Sequence, residues 1–340
     1  MKPRDIMLET LHHRQPPVTP YSLDFEGDVA ERLDAHYGGR AWRGQLIPFM
    51  VRAYAVDTDL KTPIDDVYVR DGYGGVWRQD RRPWHLERPP LDRPSFEGYT
   101  FPGPEVFIRP DWRERSRQVI AETPDSFHVG ELGWGLFERS WNLRGFQNLL
   151  TDVVTDPDFF EEALDRLTEL YLAFVEYTAA LPVDAIMFGD DWGDQRGVII
   201  GPQRWRKFLK PRWAKIYEAV HRHGMYAFAH SCGSVAEILP DIIEIGLDVL
   251  ESVQPEAAGM NPYELKRKYG DKITFFGCLG SQSTIPFGTP EGIKAEVRRL
   301  RREVGRDGGY ILAPAKALQP ETPTENAAAV FEAFVEENPR

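Results

Sequence analysis

The stretch Met225–Val235, MYAFAHSCGSV, decides how the rest of the chain is read. Its apolar run, Tyr226–Ala229, stops at a histidine, a serine, a cysteine and a glycine, and helix-like sequence follows. So short an apolar run, closed by polar residues and glycine, has the form of a buried parallel strand opening into a loop ahead of a helix. Side chains alternate along extended backbone, which puts His230 and Cys232 on one side and Ser231 on the other. An imidazole nitrogen and a thiolate so placed are two of the donors a zinc ion takes, and a catalytic zinc wants a third from the protein. The same pair also fits a core histidine beside a buried thiol.

The rhythm repeats on both sides. Upstream, DAIMFGDDWGDQ (Asp184–Gln195) ends its apolar run in Asp190 and Asp191, followed by Trp192 and Gln195, and the next helix contains Pro211, where a kink is expected. SFHVGELGWG (Ser126–Gly135) presents Glu131 and Trp134. Downstream, DVLESVQPE carries Glu251, Gln254 and Glu256, ITFFGCLGSQ carries Cys278 and Gln282, and GYILAPAKALQ carries Lys316. Strand followed by helix, repeated to the end of the chain, argues for parallel β/α architecture. The polar residues fall at the carboxyl ends of the strands, which in a closed barrel converge on the reactive face.

The expected fold is therefore a distorted (β/α)8 TIM barrel, one domain over residues 1–340. Seven strands are recognisable, counting Val18–Phe25. The eighth is expected between Arg40 and Trp112, where Pro, Gly, Arg and Trp crowd together and only short alternations such as Val67–Val69 and Val76–Arg78 survive. That irregular insertion, about 40–112, is expected to flank or lid the cleft. Phe160, Leu164, Leu167, Tyr171 and Phe174 recur at helical spacing and read as core. Thr322 and Glu325 are spaced as a capping box for the last helix. Asp190, in phase with Phe188 and Trp192, is taken as the aspartate that enters the cleft, with Asp191 facing away.

Composition narrows the function. The chain has 340 residues, 42% of them hydrophobic, and a formal charge of −12. That is room for a large core, and the acidic balance gives no electrostatic footprint for nucleic acid. Cys232 and Cys278 are the two cysteines, too few for a disulfide scaffold, so a reducing, cytoplasmic setting is expected. No uninterrupted apolar stretch is long enough to span a bilayer. A soluble enzyme acting on a small molecule is the expectation.

HSCG after a strand, the DDWG segment, ITFFGCLGSQSTIPFGTPEGI and the GGYILAP ending with its later TPTEN together resemble the uroporphyrinogen decarboxylase superfamily. The resemblance covers most of the chain from about Glu131 onward. It implies a barrel with a deep cleft, and either the decarboxylase chemistry of the haem pathway or zinc-dependent methyl transfer between corrinoid proteins and acceptors such as thiols. The decarboxylase branch grips a polyanionic tetrapyrrole with an arginine-rich amino-terminal segment. Here the corresponding PYSLDFEGDVAERLD is acidic, which disfavours that substrate. The methyltransferase branch carries H-x-C-G, matching His230, Cys232 and Gly233, but its further cysteine ligand falls at Lys316, and lysine is a poor metal ligand at neutral pH.

Two activities follow as expectations. In the first, zinc sits on His230 and Cys232 with a third ligand from Glu251, Asp190, Cys278 or Glu131, and a zinc-activated nucleophile accepts a methyl group, with a methyl-corrinoid protein as possible donor. In the second, a metal-free decarboxylase or lyase acts on a small acid through Lys316, His230 and Asp190. A ligand-binding member without turnover is the reading from another class. Glu131, Trp134, Trp192, Gln195, Gln254 and Gln282 are the expected substrate contacts, and the resemblance suggests a monomer or homodimer.

Overall fold

Seven parallel strands in the order β1-β6-β7-β8-β9-β10-β11 form the central sheet of the computed structural model, which describes residues 1–338. They are β1 (Met50–Ala53), β6 (Phe127–Trp134), β7 (Ala185–Gly189), β8 (Tyr226–His230), β9 (Val249–Val253), β10 (Thr274–Leu279) and β11 (Tyr310–Pro314). β7, β10 and β11 are buried along their whole length, because the barrel interior covers one face and helices the other. The helix Pro157–Thr178 turns Phe160, Leu164, Leu167, Tyr171 and Phe174 into that helix layer, each fully buried.

β1 is the strand expected between Arg40 and Trp112. The expected strand Val18–Phe25 is not regular. It pairs through isolated bridges, Tyr21 to Leu312 of β11 and Phe25 to Leu318 in the segment after that strand. Pro16, Pro17 and Pro20 have no N–H to give a ladder, which limits pairing to single points. Tyr21 completes the closure on the other side, where its ring packs edge-on against Phe49 at 5.1 Å and its hydroxyl accepts the Ile47 N–H at 2.9 Å, just ahead of β1.

The remaining strands, β2 (Lys61–Pro63), β3 (Tyr68–Asp71), β4 (Val76–Arg78) and β5 (His85–Arg88), form a separate antiparallel sheet. Buried Asp71 ties its central turn, accepting from the N–H groups of Tyr73 and Gly75 and from the Trp77 indole at 2.7–2.9 Å. The sheet meets the barrel where Trp77 lies 6.1 Å from Trp134.

Some local expectations give way. The helix-like sequence after HSCG forms a helix only over Leu239–Glu244. The kink anticipated near Pro211 is a π-type turn over Trp205–Leu209 just before it, as expected where a proline removes an N–H from the ladder. No capping box forms at Thr322, whose N–H donates to the Gln319 carbonyl at 2.9 Å instead of to Glu325, and the last helix runs Thr324–Val335 with Pro323 at its N-cap. Among the described residues no helix is long and apolar enough to cross a membrane.

Candidate metal centre

At the carboxyl end of β8, Nε2 of His230 lies 3.3 Å from Sγ of Cys232 and 3.4 Å from Oδ1 of Asp191. Zinc bond lengths at a tetrahedral angle put N and S donors about 3.6 Å apart and N and O donors about 3.4 Å apart. The donor atoms of Asp191, His230 and Cys232 all lie within 4.8 Å of one another. The side chains of His230 and Asp191 are 31% and 40% exposed, so a fourth ligand has access. In both chemistry and spacing these residues fit a metal ion.

The loops that hold the three donors interlock. Gly233 has φ +74°, and a Cβ there would sit 2.5 Å from the Asp194 carbonyl. Gly193 faces it, with a virtual Cβ 2.6 Å from the Ser234 carbonyl. Only glycine lets the DDWG and HSCG loops pass this closely. Ser231, pointing away from the donors, accepts the Trp192 N–H at 3.0 Å, and Gln254 accepts the Gly233 N–H at 2.7 Å. The Cys232 N–H donates to Asp191 at 2.8 Å.

Behind the donors runs a polar chain. Glu251 hydrogen-bonds Nδ1 of His230 and so orients the ring with Nε2 toward Cys232 and Asp191. Glu131 shares the buried interior with Glu251 and pairs with Arg52 at 3.6 Å, and Arg52 also reaches Asp24 at 3.3 Å. A cavity of about 180 Å³ lined by Ser22, Asp24, Met50, Arg52, Val129 and Met187 lies along this chain. Burial opposes a charge on His230, but Glu251, Asp191 and Cys232 outweigh it and hold the ring well above its usual range. Burial would raise Asp191, yet its bonds from His230 and Cys232 keep it low. Burial pushes Glu131 up, with Arg52 working against the rise.

Several expected site residues lie elsewhere. Asp190 is fully buried and accepts four hydrogen bonds of 2.7–3.1 Å, from the N–H groups of Phe137 and Glu138 and the indoles of Trp192 and Trp213. Burial raises it to about 7 against those four donors. The phase shared by Phe188, Asp190 and Trp192 is real, but that face is the outer one. Phe188 and Trp192 pack on Trp213, while Met187 and Asp191 face inward. Trp192, 1% exposed, is therefore a core residue and not a substrate contact. Glu251 stands behind His230 instead of beside Cys232. Cys278 is buried on β10, with its thiol raised far out of the reactive range by burial.

Gln254 is a buried strut of the loop, while Gln195 and Gln282 are exposed. Trp134 lies 5.4 Å from Trp141, the rings tilted by 42°, with the Arg139 guanidinium over its face. Lys316 is exposed after β11 and, among the described residues, pairs with no carboxylate.

Sequence reasoning missed Glu138. It sits on the first turn of the helix Leu136–Arg144, 6% exposed, and the charges that reach it are those of Asp191, Asp190, His230 and Arg139. Burial, then those two aspartates, raise its carboxyl to about 8. Its signal in the sequence is faint, a single acid soon after the strand-ending Trp134.

A parallel β/α barrel with a His/Cys/carboxylate cluster at the carboxyl ends of its strands defines the class: a barrel protein with a candidate metal centre at its mouth. Residues 141–336 match the family model described as uroporphyrinogen decarboxylase (URO-D), and the chain belongs to that family. It is 31% identical over 184 residues to the methylcobamide:CoM methyltransferase MtaA of Methanosarcina barkeri, an alignment covering 53% of this chain and 50% of that protein. It is 27% identical over 190 residues to the uroporphyrinogen decarboxylase of an Anaeromyxobacter species, covering 56% and 51%. The chain thus spans about half the length of the curated relatives it matches, both of them enzymes. A methyltransferase structure from Methanosarcina mazei shares the fold over 99% of both chains, with a TM-score of 0.72 at 21% identity.

Proposed function

We propose that this chain is a zinc-dependent methyltransferase or demethylase in which Asp191, His230 and Cys232 hold the metal. The observation that carries this reading is the convergence of their donor atoms, at 3.3 Å and 3.4 Å from Nε2 of His230. Zinc in such a site supplies Lewis acidity, lowering the pKa of a thiol or alcohol so that it acts as a nucleophile near neutral pH. The protein's part is positioning. Glu251 fixes the tautomer and aim of His230, the Cys232 N–H fixes Asp191, and Gln254 holds the loop that carries Cys232.

Asp191 takes the role that the resemblance left open at Lys316. The donor of the methyl group is then a methyl-corrinoid, the kind of group named for the MtaA relative. The chain works as one barrel domain, with residues 40–112 supplying β1 and a flanking sheet beside the mouth. The lyase reading finds less support, because Asp190 is enclosed by four donors and Lys316 stands in solvent, so its three residues do not meet.

Metal analysis of the purified protein tests the proposal. One zinc per chain is expected, falling to near none in Cys232→Ser while the circular-dichroism melting curve is retained. Metal-free wild-type protein after zinc reconstitution and desalting would overturn it.

A further inference from the structure

β9 does not run in even register beside β10. Leu250 pairs with Phe275 and Val253 with Gly277, so Glu251 and Ser252 together stand opposite the single residue Phe276. An extra residue of this kind is a β-bulge, which breaks the ladder locally and re-aims the side chains beside it. The strain falls on Ser252, at φ +68°. Glycine adopts that conformation freely, whereas a residue with a Cβ adopts it at a cost. Regular alternation would send two consecutive side chains to opposite faces. Here both reach the proposed donors: Glu251 bonds Nδ1 of His230, and Oγ of Ser252 lies 3.7 Å from Sγ of Cys232.

Ser252 is fully buried, and its hydroxyl is held between groups from distant parts of the chain. It donates to the Ala315 carbonyl, just after β11, at 2.7 Å, while in the pair with Sγ either atom can be the donor. A hydroxyl has one hydrogen and two lone pairs. With Cys232 as a thiol, the S–H can give to Ser252 while Ser252 gives to Ala315. Metal binding takes the thiol proton, and the serine hydrogen is then the one this pair retains. A charged acceptor makes the stronger hydrogen bond, so a thiolate draws that hydrogen away from the carbonyl. The other polar groups within reach of Sγ, on His230 and Asp191, are the proposed metal's own ligands.

We propose that Ser252 is the positioning residue for Cys232, as Glu251 is for His230, and that its hydroxyl gives a hydrogen bond to the thiolate when the site is loaded. This rests on the zinc reading of the site. One bulge then aims the supports of two metal ligands, and the strained φ of a non-glycine residue is kept because its side chain is needed there.

Ser252→Ala and Ser252→Gly, each loaded with zinc or with cobalt(II), test the proposal against wild-type protein. Both remove the hydroxyl, but glycine also relieves the backbone and keeps the bulge. Zinc affinity, measured by competition with a chelator, is expected to fall about tenfold or more in both. The thiolate-to-cobalt charge-transfer band should move to lower energy in both, because a sulfur without its hydrogen bond gives up an electron more readily. A role confined to the backbone gives another pattern, wild-type affinity and an unmoved band in Ser252→Gly, and that pattern overturns the proposal. An unchanged affinity or an unmoved band in any variant whose melting curve shows it folded does the same. Wild-type protein that takes up no zinc defeats the metal reading and this proposal with it, whereas zinc-loaded wild type with unaltered variants defeats the role of Ser252 alone.

Discussion

Residues 141–336 and residues 1–140 contribute different things to one site. The first region, which matches the family model, carries His230 and Glu251 on β8 and β9, with Asp191 and Cys232 in the loops that follow β7 and β8. The second brings Asp24, Arg52, Glu131 and Glu138, groups that bind no metal in the proposed site but surround whatever approaches it. The metal donors are set by neighbouring parallel strands, whose register is fixed by a continuous ladder. The surrounding groups come from the closing segment, the edge strand β1, the carboxyl-terminal half of β6 and the first turn of a helix. The comparison teaches that the likeness to known enzymes covers the donors of the proposed metal site, while several of the charged groups around them lie outside that match.

Asp190 adds a polar junction between the two regions beside the β6–β7 ladder, since the carboxylate of one receives the helix N–H groups of the other. Asp190→Ala removes an acceptor from four buried donors, each worth about 1–3 kcal/mol when left unsatisfied. A loss of at least about 4 kcal/mol in chemical denaturation is expected. A change under 1 kcal/mol would mean that the four bonds to Asp190 add little to a junction carried by the β6–β7 ladder and packing.

Glu251→Gln acts within the matched region. Losing a carboxylate behind a ligating histidine should weaken zinc binding about 10–100-fold in competition with a chelator, with the melting temperature little changed. An unchanged zinc affinity would remove Glu251 from the site.

Glu138→Gln probes the other region through pH. In metal-free protein the Glu138 carboxyl is raised from 4.5 to about 8, so the native state keeps a proton that the unfolded chain releases. That contribution is fully present below about pH 4.5 and is lost as pH rises toward 8. Wild-type stability should therefore fall more steeply than that of the variant between pH 5 and 8, an interval inside that window. Parallel curves would show that Glu138 is solvated.

Lys316→Ala should do least. An exposed lysine without an ion pair contributes within about 0.5 kcal/mol, and zinc content should not move. A loss of zinc would return Lys316 to the centre of the mechanism.

Much of this was legible in the sequence because parallel strands leave a strong trace. Short apolar runs ending in polar residues gave the strand positions, and two-residue alternation brought His230 and Cys232 together while sending Ser231 elsewhere. Alternation also grouped Phe188, Asp190 and Trp192 correctly but could not say which way the group points. A strand enclosed between barrel interior and helix layer is apolar on both faces, so its residues carry no mark of inside or outside.

What the sequence determined, then, is local: where strands begin and end, which residues share a side, and that acids, a histidine and a cysteine gather at one end of the sheet. Tertiary structure alone decided that Asp191 and not Asp190 comes within reach of His230 and Cys232, that Glu251 stands behind His230, that Glu138 is buried beside Asp190 and that Lys316 is exposed. Backbone periodicity repeats over a few residues, whereas the direction of a side chain at a strand end is set by what a loop far away in the chain places against it.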